Sequence, residues 1–314
     1  MSKNHLLPVA LVCLAGAVWG CSTPESTPSA DVEGEAIILT DVDFDPDSLI
    51  PETQPVADYL ATDRTLNRAG ISEGEVQIAP DVDTVAEWMT SGEVNLYFDS
   101  VYPAMLVMEK SGATPILRRW KDGVPEYNTY FVTRTDSPLK TLEDLQGNMI
   151  ALQSPSSSSG FMFPMVYLLE AGLNPVEKAE ANHTVAEDVI GYVFSGEDDN
   201  TVEWILEGKV PAGALDSETW AELSEEERAQ LSIIAETDDF PRHVVLAGPS
   251  LAPEQLDALK TAMLAMDESQ DGKAALETFS ETAQFDEFPE GAEAAIARLQ
   301  ASYEMLNNHL AQQN

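Results

Sequence analysis

Four consecutive hydroxyls, Ser156, Ser157, Ser158 and Ser159, stand directly before Gly160 in the segment Leu152-Gln153-Ser154-Pro155-Ser156-Ser157-Ser158-Ser159-Gly160-Phe161. An apolar strand is expected just before it, over residues 149–152, and an apolar-faced helix just after, over 160–171. A helix N-terminus carries N–H groups without intrahelical partners and a partial positive charge. Hydroxyls beside it add donors, and Gly160 allows close approach of the backbone. Such a turn can hold an anion without lysine or arginine. The serines can equally serve only as helix caps. A flexible serine linker fits the strand–turn–helix context poorly, while anion binding and capping both stay open.

A second group is Asp99-Ser100-Val101-Tyr102-Pro103, at the end of a strand expected over 94–98. Open α/β sheets place their ligands at the carboxyl ends of strands. Asp99 can accept from a ligand hydroxyl or amine, or cap the following helix, and the two roles are compatible. Tyr102 can donate a hydrogen bond or stack. Tyr127 and Tyr130 fall on a long strand over 127–134, where core or hinge packing is the plainer account. Arg118, Arg119 and Trp120 could form a cationic wall, although salt bridges to an acidic surface are the simpler expectation.

Catalytic constellations are missing. Beyond residue 20 the histidines are His183, His243 and His309. The chain has no Gly-x-Ser-x-Gly elbow, paired-histidine metal motif, P-loop or Gly-x-Gly-x-x-Gly fingerprint. The run Asp41-Val42-Asp43-Phe44-Asp45-Pro46-Asp47 lacks the glycine and terminal glutamate of a calcium loop, so an acidic loop is expected. No enzyme, cofactor or metal is anticipated.

The elements around these residues alternate. Strands are expected over 35–40, 75–78, 94–98 and 115–120, with helices over 56–70, 83–91 and 102–111 between them. The pattern restarts after 127–134, with strands over 149–152, 189–194, 210–215 and 231–235 and helices near 142–145, 160–171, 201–206 and 217–230. A second long strand, 240–247, leads into helices over 253–267, 272–281 and 291–314. Alternation of this kind implies α/β architecture with mainly parallel sheets. Two such units joined by two long strands suggest two lobes with a cleft between them, a favoured ligand site.

Composition narrows the partners. Against 16 lysines and arginines stand 55 aspartates and glutamates, a formal charge of -39. That field argues against nucleic acid and anionic membrane surfaces. It also repels anions, unless salt screens it within about 10 Å, so any anion site must work through local dipoles. Adaptation to salt and solubility is the plain reading of the charge.

The N-terminus reads as an export signal. Lys3 precedes an apolar run over 6–18, too short to span a bilayer, and then Val18-Trp19-Gly20-Cys21. Cys21 resembles the acylated cysteine of a lipoprotein lipobox, although Trp19 sits where a small residue is usual. The other cysteine, Cys13, lies inside the signal, so the folded body has no thiol and depends on its core. A Ser/Thr/Pro/acid stretch over 21–34 is expected to be a disordered tether.

The chain as a whole resembles the phosphate/phosphite/phosphonate substrate-binding proteins of ABC importers. The similarity is carried by Thr141-Leu142-Glu143-Asp144-Leu145-Gln146-Gly147, Ile150-Ala151, the turn from Ser156 to Phe161, and Pro164. In order around these come Gly92-Glu93-Val94-Asn95-Leu96-Tyr97-Phe98-Asp99-Ser100, Arg118-Arg119-Trp120 with Gly123 and Tyr127, Glu207-Gly208-Lys209-Val210-Pro211-Ala212-Gly213-Ala214, and Phe240-Pro241. The resemblance implies a two-lobed periplasmic-binding fold of type II, with Ser156 to Ser159 and Gly160 on the oxyanion. Asp99, Ser100, Tyr102 and Tyr127 would line the same cleft. It also implies a membrane-anchored monomer in the periplasm or at the cell surface, delivering its ligand to a permease and an ATPase. Departures from the pattern are Ser158 for threonine, Phe161 for tyrosine, Asp198 where a histidine is usual, Pro211 for aspartate, and His243 near a position that is often acidic. Asp198 and His243 would face the organic part of the ligand. One lobe would take residues 35–128 with 246–314 and the other 129–245. A sensor module with the same fold is the alternative to transport.

Overall fold

The computed structural model describes residues 35–43 and 46–313. The signal, Cys21 and the tether lie outside them, as do Phe44 and Asp45 of the acidic run. In chain order the elements begin with β1 (Glu35–Val42), α1 (Pro46–Thr62), α2 (Arg64–Arg68), β2 (Ile71–Ala79), α3 (Val82–Ser91), β3 (Leu96–Asp99), α4 (Val101–Ser111) and β4 (Thr114–Arg119). Then come β5 (Glu126–Tyr127), β6 (Thr129–Arg134), β7 (Met149–Leu152), α5 (Phe163–Glu170), β8 (Pro175–Glu177), β9 (Ile190–Phe194), α6 (Asp198–Leu206), β10 (Ala212–Asp216), α7 (Ser217–Glu222), α8 (Glu225–Gln230) and β11 (Leu231–Glu236). The last are β12 (Phe240–Pro241), β13 (His243–Ala247), α9 (Pro253–Leu264), α10 (Gln270–Thr278), β14 (Phe285–Asp286) and α11 (Ala292–Gln313).

The strands form two six-stranded sheets, ordered β14-β4-β13-β3-β1-β2 and β11-β6-β10-β7-β9-β8. Their central strands are apolar throughout. Met149, Ile150, Ala151 and Leu152 of β7 are all buried, as is every residue of β13, the pattern of strands covered on both faces. The α/β class and the two units agree with the alternation in the sequence, but the sheets are mixed. β1, β2 and β3 pair in parallel, as do β7, β8, β9 and β10. β13 runs antiparallel to β3 and β4, and β6 antiparallel to β10 and β11. β6 and β13 are the two long strands of the sequence, and each enters its sheet from the other unit, which sets the opposite direction.

Both long strands are broken where they cross. β5 separates from β6 at Asn128, and β12 from β13 at Arg242. β5 and β12 pair with each other in a small ribbon, Phe240 opposite Tyr127 and Pro241 opposite Glu126. The C-terminal helix α11 packs on both α4 and α5, so it also touches both units.

The helix expected over 56–70 differs most. It starts at Pro46 and ends at Thr62, and Asp63 then caps α2, accepting from the N–H groups of Thr65 at 2.7 Å and Leu66 at 3.0 Å. Pro51 and Pro55 lie inside α1; prolines usually interrupt helices, so the first half did not read as one. Gly74 on β2 lets α1 approach, because a Cβ there would lie 2.1 Å from the carbonyl oxygen of Ala57.

Candidate ligand-binding site

The serine turn begins where β7 ends. Ser157 has extended backbone angles, and its Oγ accepts from the N–H of Gly160 at 2.8 Å, a helix cap. Residues Ser158–Met162 then form a wide π-helical turn before α5. Pro164 accounts for the wide turn. It has no N–H to return to the carbonyl of Gly160, and that carbonyl accepts instead from the N–H of Gln153 at 3.0 Å. The N–H of Met162 donates to Ser157 O at 3.0 Å. The helix expected from Gly160 therefore starts two residues earlier and opens with a π turn, a feature frequent at functional sites.

A second helix N-terminus meets the first. α4 follows β3 through Ser100, and the backbone N–H of Tyr102 donates to Ser158 Oγ at 2.7 Å. Ser158 and Ser159 are buried, whereas Ser156 is exposed. Two positive helix ends thus converge on neutral hydroxyls, and Ser158 accepts from one helix while its own proton is available to a ligand. The arrangement can concentrate about half an elementary charge from each helix on one anion without a lysine or arginine in the turn.

Around the turn, Thr129 Oγ1 donates to the carbonyl of Ser159 at 2.8 Å, and Ser159 Oγ donates to Asp216 Oδ2 at 3.3 Å. Burial pushes the Tyr127 hydroxyl up to about 12, so it stays protonated. Its ring lies edge-on to Phe240 at 4.6 Å, and Phe240 stacks on Phe163 at 3.6 Å. Arg242 covers the other side of Tyr127 at 4.8 Å from the ring centre, where it pairs with Glu218 and reaches Asp122 at 3.4 Å. The ring of Tyr102 packs between Phe161 and Tyr303, so its polar contribution comes from its backbone.

Asp198 opens α6 beside this group. Its Oδ2 accepts from Gln153 Nε2 at 2.6 Å, while Oδ1 is a buried atom with no hydrogen-bond partner. Gln153 in turn lies against the serine turn: a Cβ on Gly160 would sit 2.4 Å from Cβ of Gln153 and 3.0 Å from Ser157 Oγ. Burial, then the charge of Asp216, pushes Asp198 up to about 7.

The remaining expected residues gather at the carboxyl edge of the first sheet. Asp99 Oδ2 accepts from the Tyr97 hydroxyl at 2.5 Å, and Oδ1 from the N–H of Ser100 at 2.6 Å and from Ser100 Oγ at 3.2 Å. Its acceptors are satisfied within the chain, and Ser100, not Asp99, occupies the cap position of α4 without a side-chain cap bond. His243 pairs in register with Arg119, and its Nδ1 is buried without a partner. Burial, with Arg119 and Arg242 close by, lowers His243 well below its ordinary range, so the imidazole is neutral. Arg119 is only 1% exposed and donates to Thr282 Oγ1 at 2.9 Å and Phe279 O at 2.8 Å. It forms neither a cationic wall nor a surface salt bridge, because the sheet encloses it. Arg118 does make the expected ion pairs, with Glu126 at 2.8 Å and with Asp286.

Asp41 of the acidic run joins this edge. Burial, reinforced by Asp99, pushes its carboxyl up to about 7. A carboxyl raised in the folded state stabilises most when protonated, so this contribution is present below the unfolded value of 3.8 and is lost as pH rises through about 7. The full shift corresponds to a few kcal/mol at roughly 1.4 kcal/mol per unit. Thermal stability is expected to fall between pH 5 and pH 8, and the net charge pushes the same way. Asp41→Asn, which keeps the acceptor for the Val42 N–H, should remove part of that slope and be more stable than the parent at the alkaline end. Melting curves across pH check this; an unchanged slope contradicts it.

Residues 40–290 match the family described as ABC transporter, phosphonate, periplasmic substrate-binding protein. This chain belongs to that family. A curated relative, the phosphate-import protein PhnD of Mycolicibacterium smegmatis, is 30% identical over 275 residues, covering 84% of this chain and 82% of the relative. Among solved structures, XAC2383 from Xanthomonas citri, bound to chloride, superposes with a TM-score of 0.77 at 25% identity, covering 88% of this chain and 99% of that one. PhnD1 from Prochlorococcus marinus in complex with methylphosphonate gives 0.57 at 16% identity, covering 88% and 100%. The fold is that of type II periplasmic binding proteins. The family comprises substrate-binding proteins, not enzymes, that work outside the cytoplasm with a permease and an ATPase.

Within this periplasmic substrate-binding family member, the structure brings Ser157, Ser158, Ser159, Gly160, the Tyr102 backbone, Tyr127 and Asp198 to one place. It sets Asp99, Ser100 and His243 on the neighbouring sheet edge and leaves Ser156 in solvent. Asp216, Arg242 and Gln153 were not singled out from the sequence. Asp216 ends a strand and precedes a helix, the rule already applied to Asp99. Arg242 is one of only 16 basic residues and lies on the crossover, a signal that was present. Gln153 carried none.

Proposed function

We propose that this chain captures a small phosphorus oxyanion of the phosphate, phosphite or phosphonate type and presents it to an ABC permease. The reading rests on one observation: the N–H of Tyr102 on α4 meets Ser158 Oγ at the start of the π turn, so two helix N-termini share one cluster of hydroxyls. Ser157, Ser158 and the free N–H groups of the turn would hold the anion, with Tyr127, Asp198 and Asp216 around it. The phosphate-import relative and the methylphosphonate-bound neighbour support the ligand class. The sheet of β1–β4, β13 and β14 would form one lobe and that of β6–β11 the other, moving about the breaks at Asn128 and Arg242, so that the second boundary falls at 242 rather than 245. Acylated Cys21 would tether a monomer to the membrane through the 21–34 stretch.

A thermal-shift panel of phosphate, phosphite, methylphosphonate, aminoethylphosphonate, sulfate and carboxylates at high salt tests the reading. A ligand at 100 times its dissociation constant adds about 2.7 kcal/mol. A shift with a phosphorus oxyanion is expected; a folded sample that responds only to carboxylates, or to nothing, overturns it.

A further inference from the structure

We propose that Arg242 is a positioning residue that couples closure of the lobes to ligand capture, by bridging Asp122 of one lobe to Glu218 of the other. The inference rests on the two-lobed oxyanion reading above and concerns the hinge, not the groups around the anion.

Charge sets the problem. Acidic residues outnumber basic ones in both lobes, so closure brings like charges together. Ion pairs such as Lys110–Asp83, Arg134–Asp136 and Arg298–Glu290 stay within one lobe. Among the described residues, the ion pairs that join the lobes are those of Arg242 with Asp122 and with Glu218.

The backbone places Arg242 for this role. It stands at the break between β12 and β13, and its N–H donates at 3.0 Å to Pro125 O, on the other crossover. The side chain lies over the Tyr127 ring and is only 16% exposed. Each carboxylate is fixed to its own lobe. Asp122 follows β4 in a left-handed conformation, with φ 55°, that aspartate tolerates better than most residues. Its N–H donates to Ser280 O at 3.2 Å. Glu218 lies in the first turn of α7, where Ser217 N–H donates to Asn128 O at 2.9 Å and Thr219 N–H to Asp216 Oδ1 at 2.7 Å. A planar guanidinium presents donors in two directions at once, so one side chain can hold both acids.

The lobes meet in this structure, because Tyr102 N–H on α4 reaches Ser158 Oγ in the serine turn at 2.7 Å. A rotation about Asn128 and Arg242 that separates them also draws Asp122 away from Glu218, and Arg242 then keeps one partner at most. A contact made in one state only favours that state by its own free energy, and apparent affinity follows the population of the competent state. Glu218 supplies the larger part. Its side chain is mostly enclosed, whereas that of Asp122 is 42% exposed and its pair is long at 3.4 Å.

Calorimetric and stopped-flow titration of the full chain with inorganic phosphate test this. The proteins compared are the parent, Arg242→Gln, Arg242→Lys, Glu218→Gln, Asp122→Asn, and Asp122→Asn combined with Arg242→Gln. Arg242→Gln should bind roughly tenfold more weakly, about 1.4 kcal/mol, just above what an exposed pair contributes. The loss should appear as faster release with an unchanged capture rate, because the bridge forms in the closed complex. Glu218→Gln should show most of that loss and Asp122→Asn about a twofold part, with Arg242→Lys between the parent and Arg242→Gln. Once Arg242 is replaced, Asp122→Asn should add nothing. Parental release from both Arg242→Gln and Glu218→Gln overturns the proposal, as does a loss confined to the capture rate. An Arg242→Gln loss that neither acidic variant shares also overturns it, since the arginine would then touch the ligand itself. The two conservative acidic variants decide the matter even if Arg242→Gln does not fold. No phosphate binding by the parent would remove the oxyanion reading, a result distinct from binding without coupling.

Discussion

Arg119→Met is expected to destabilise the chain by roughly 3 kcal/mol, within the range for removing one member of a buried charged group. The guanidinium is enclosed, with its centre 3.4 Å from that of the Phe279 ring, and its two hydrogen bonds tie β4 to the Phe279–Thr282 segment. Burial already lowers it to about 10, and the nearby Asp41, Asp122 and Asp99 charges work in the other direction. Methionine fills much of the volume but supplies no charge for Asp41 or Asp99. Their carboxyls would rise further, so the loss should be larger at pH 8 than at pH 5. For a domain of this size the melting temperature should drop by about 6–12 °C. Arg119→Lys keeps the charge without the fork, so it should fall between the two. A methionine variant that melts with the parent at both pH values would show that the buried cation contributes nothing net.

Ser157→Ala combined with Ser158→Ala is expected to weaken phosphate binding by roughly 10²- to 10⁴-fold. Hydrogen bonds to charged groups contribute about 1.5–3 kcal/mol each, and about 1.4 kcal/mol is tenfold in affinity. Part of the cost is structural, because Ser157 caps the turn through Gly160 and Ser158 satisfies Tyr102; a lost cap costs about 1 kcal/mol of stability. Ser156→Ala separates the two effects. Ser156 is exposed, so that change should leave both affinity and stability near the parent. Equilibrium titration of the three proteins checks the series, and equal affinity in all of them contradicts the site.

Much of this was legible in the sequence, and the reasons differ from place to place. β7 and the serine turn could be read because an all-apolar strand, four hydroxyls, a glycine and an apolar helix follow one another without interruption. The type of the turn could not, since it depends on how Pro164 redirects the Gly160 carbonyl to Gln153. The alternation of strands and helices gave the two sheets. Their mixed pairing depends on how the long strands enter, which no local pattern encodes. Asp99 looked like a ligand group because it ends a strand; Tyr97 and Ser100, two residues and one residue away, consume its acceptors. Arg118 and Arg119 looked like surface charge, yet β4 lies between β13 and β14 and both are buried; successive residues face opposite sides, so Arg118 meets Glu126 and Asp286 while Arg119 meets Phe279 and Thr282. Asp198 and Asp216 lie 18 positions apart in sequence, and only the pairing of β7 with β9 and β10 places both beside the serine turn.

The central claim is that neutral donors at two facing helix ends hold the anion. Amide spectra of the isotope-labelled chain, recorded as inorganic phosphate is added, test it most directly. The account predicts that the Tyr102, Ser158 and Ser159 amides move furthest downfield and gain protection from exchange together. Phosphate binding that leaves these three unmoved, while amides elsewhere, such as those around Trp204 and Lys209, respond, would contradict it.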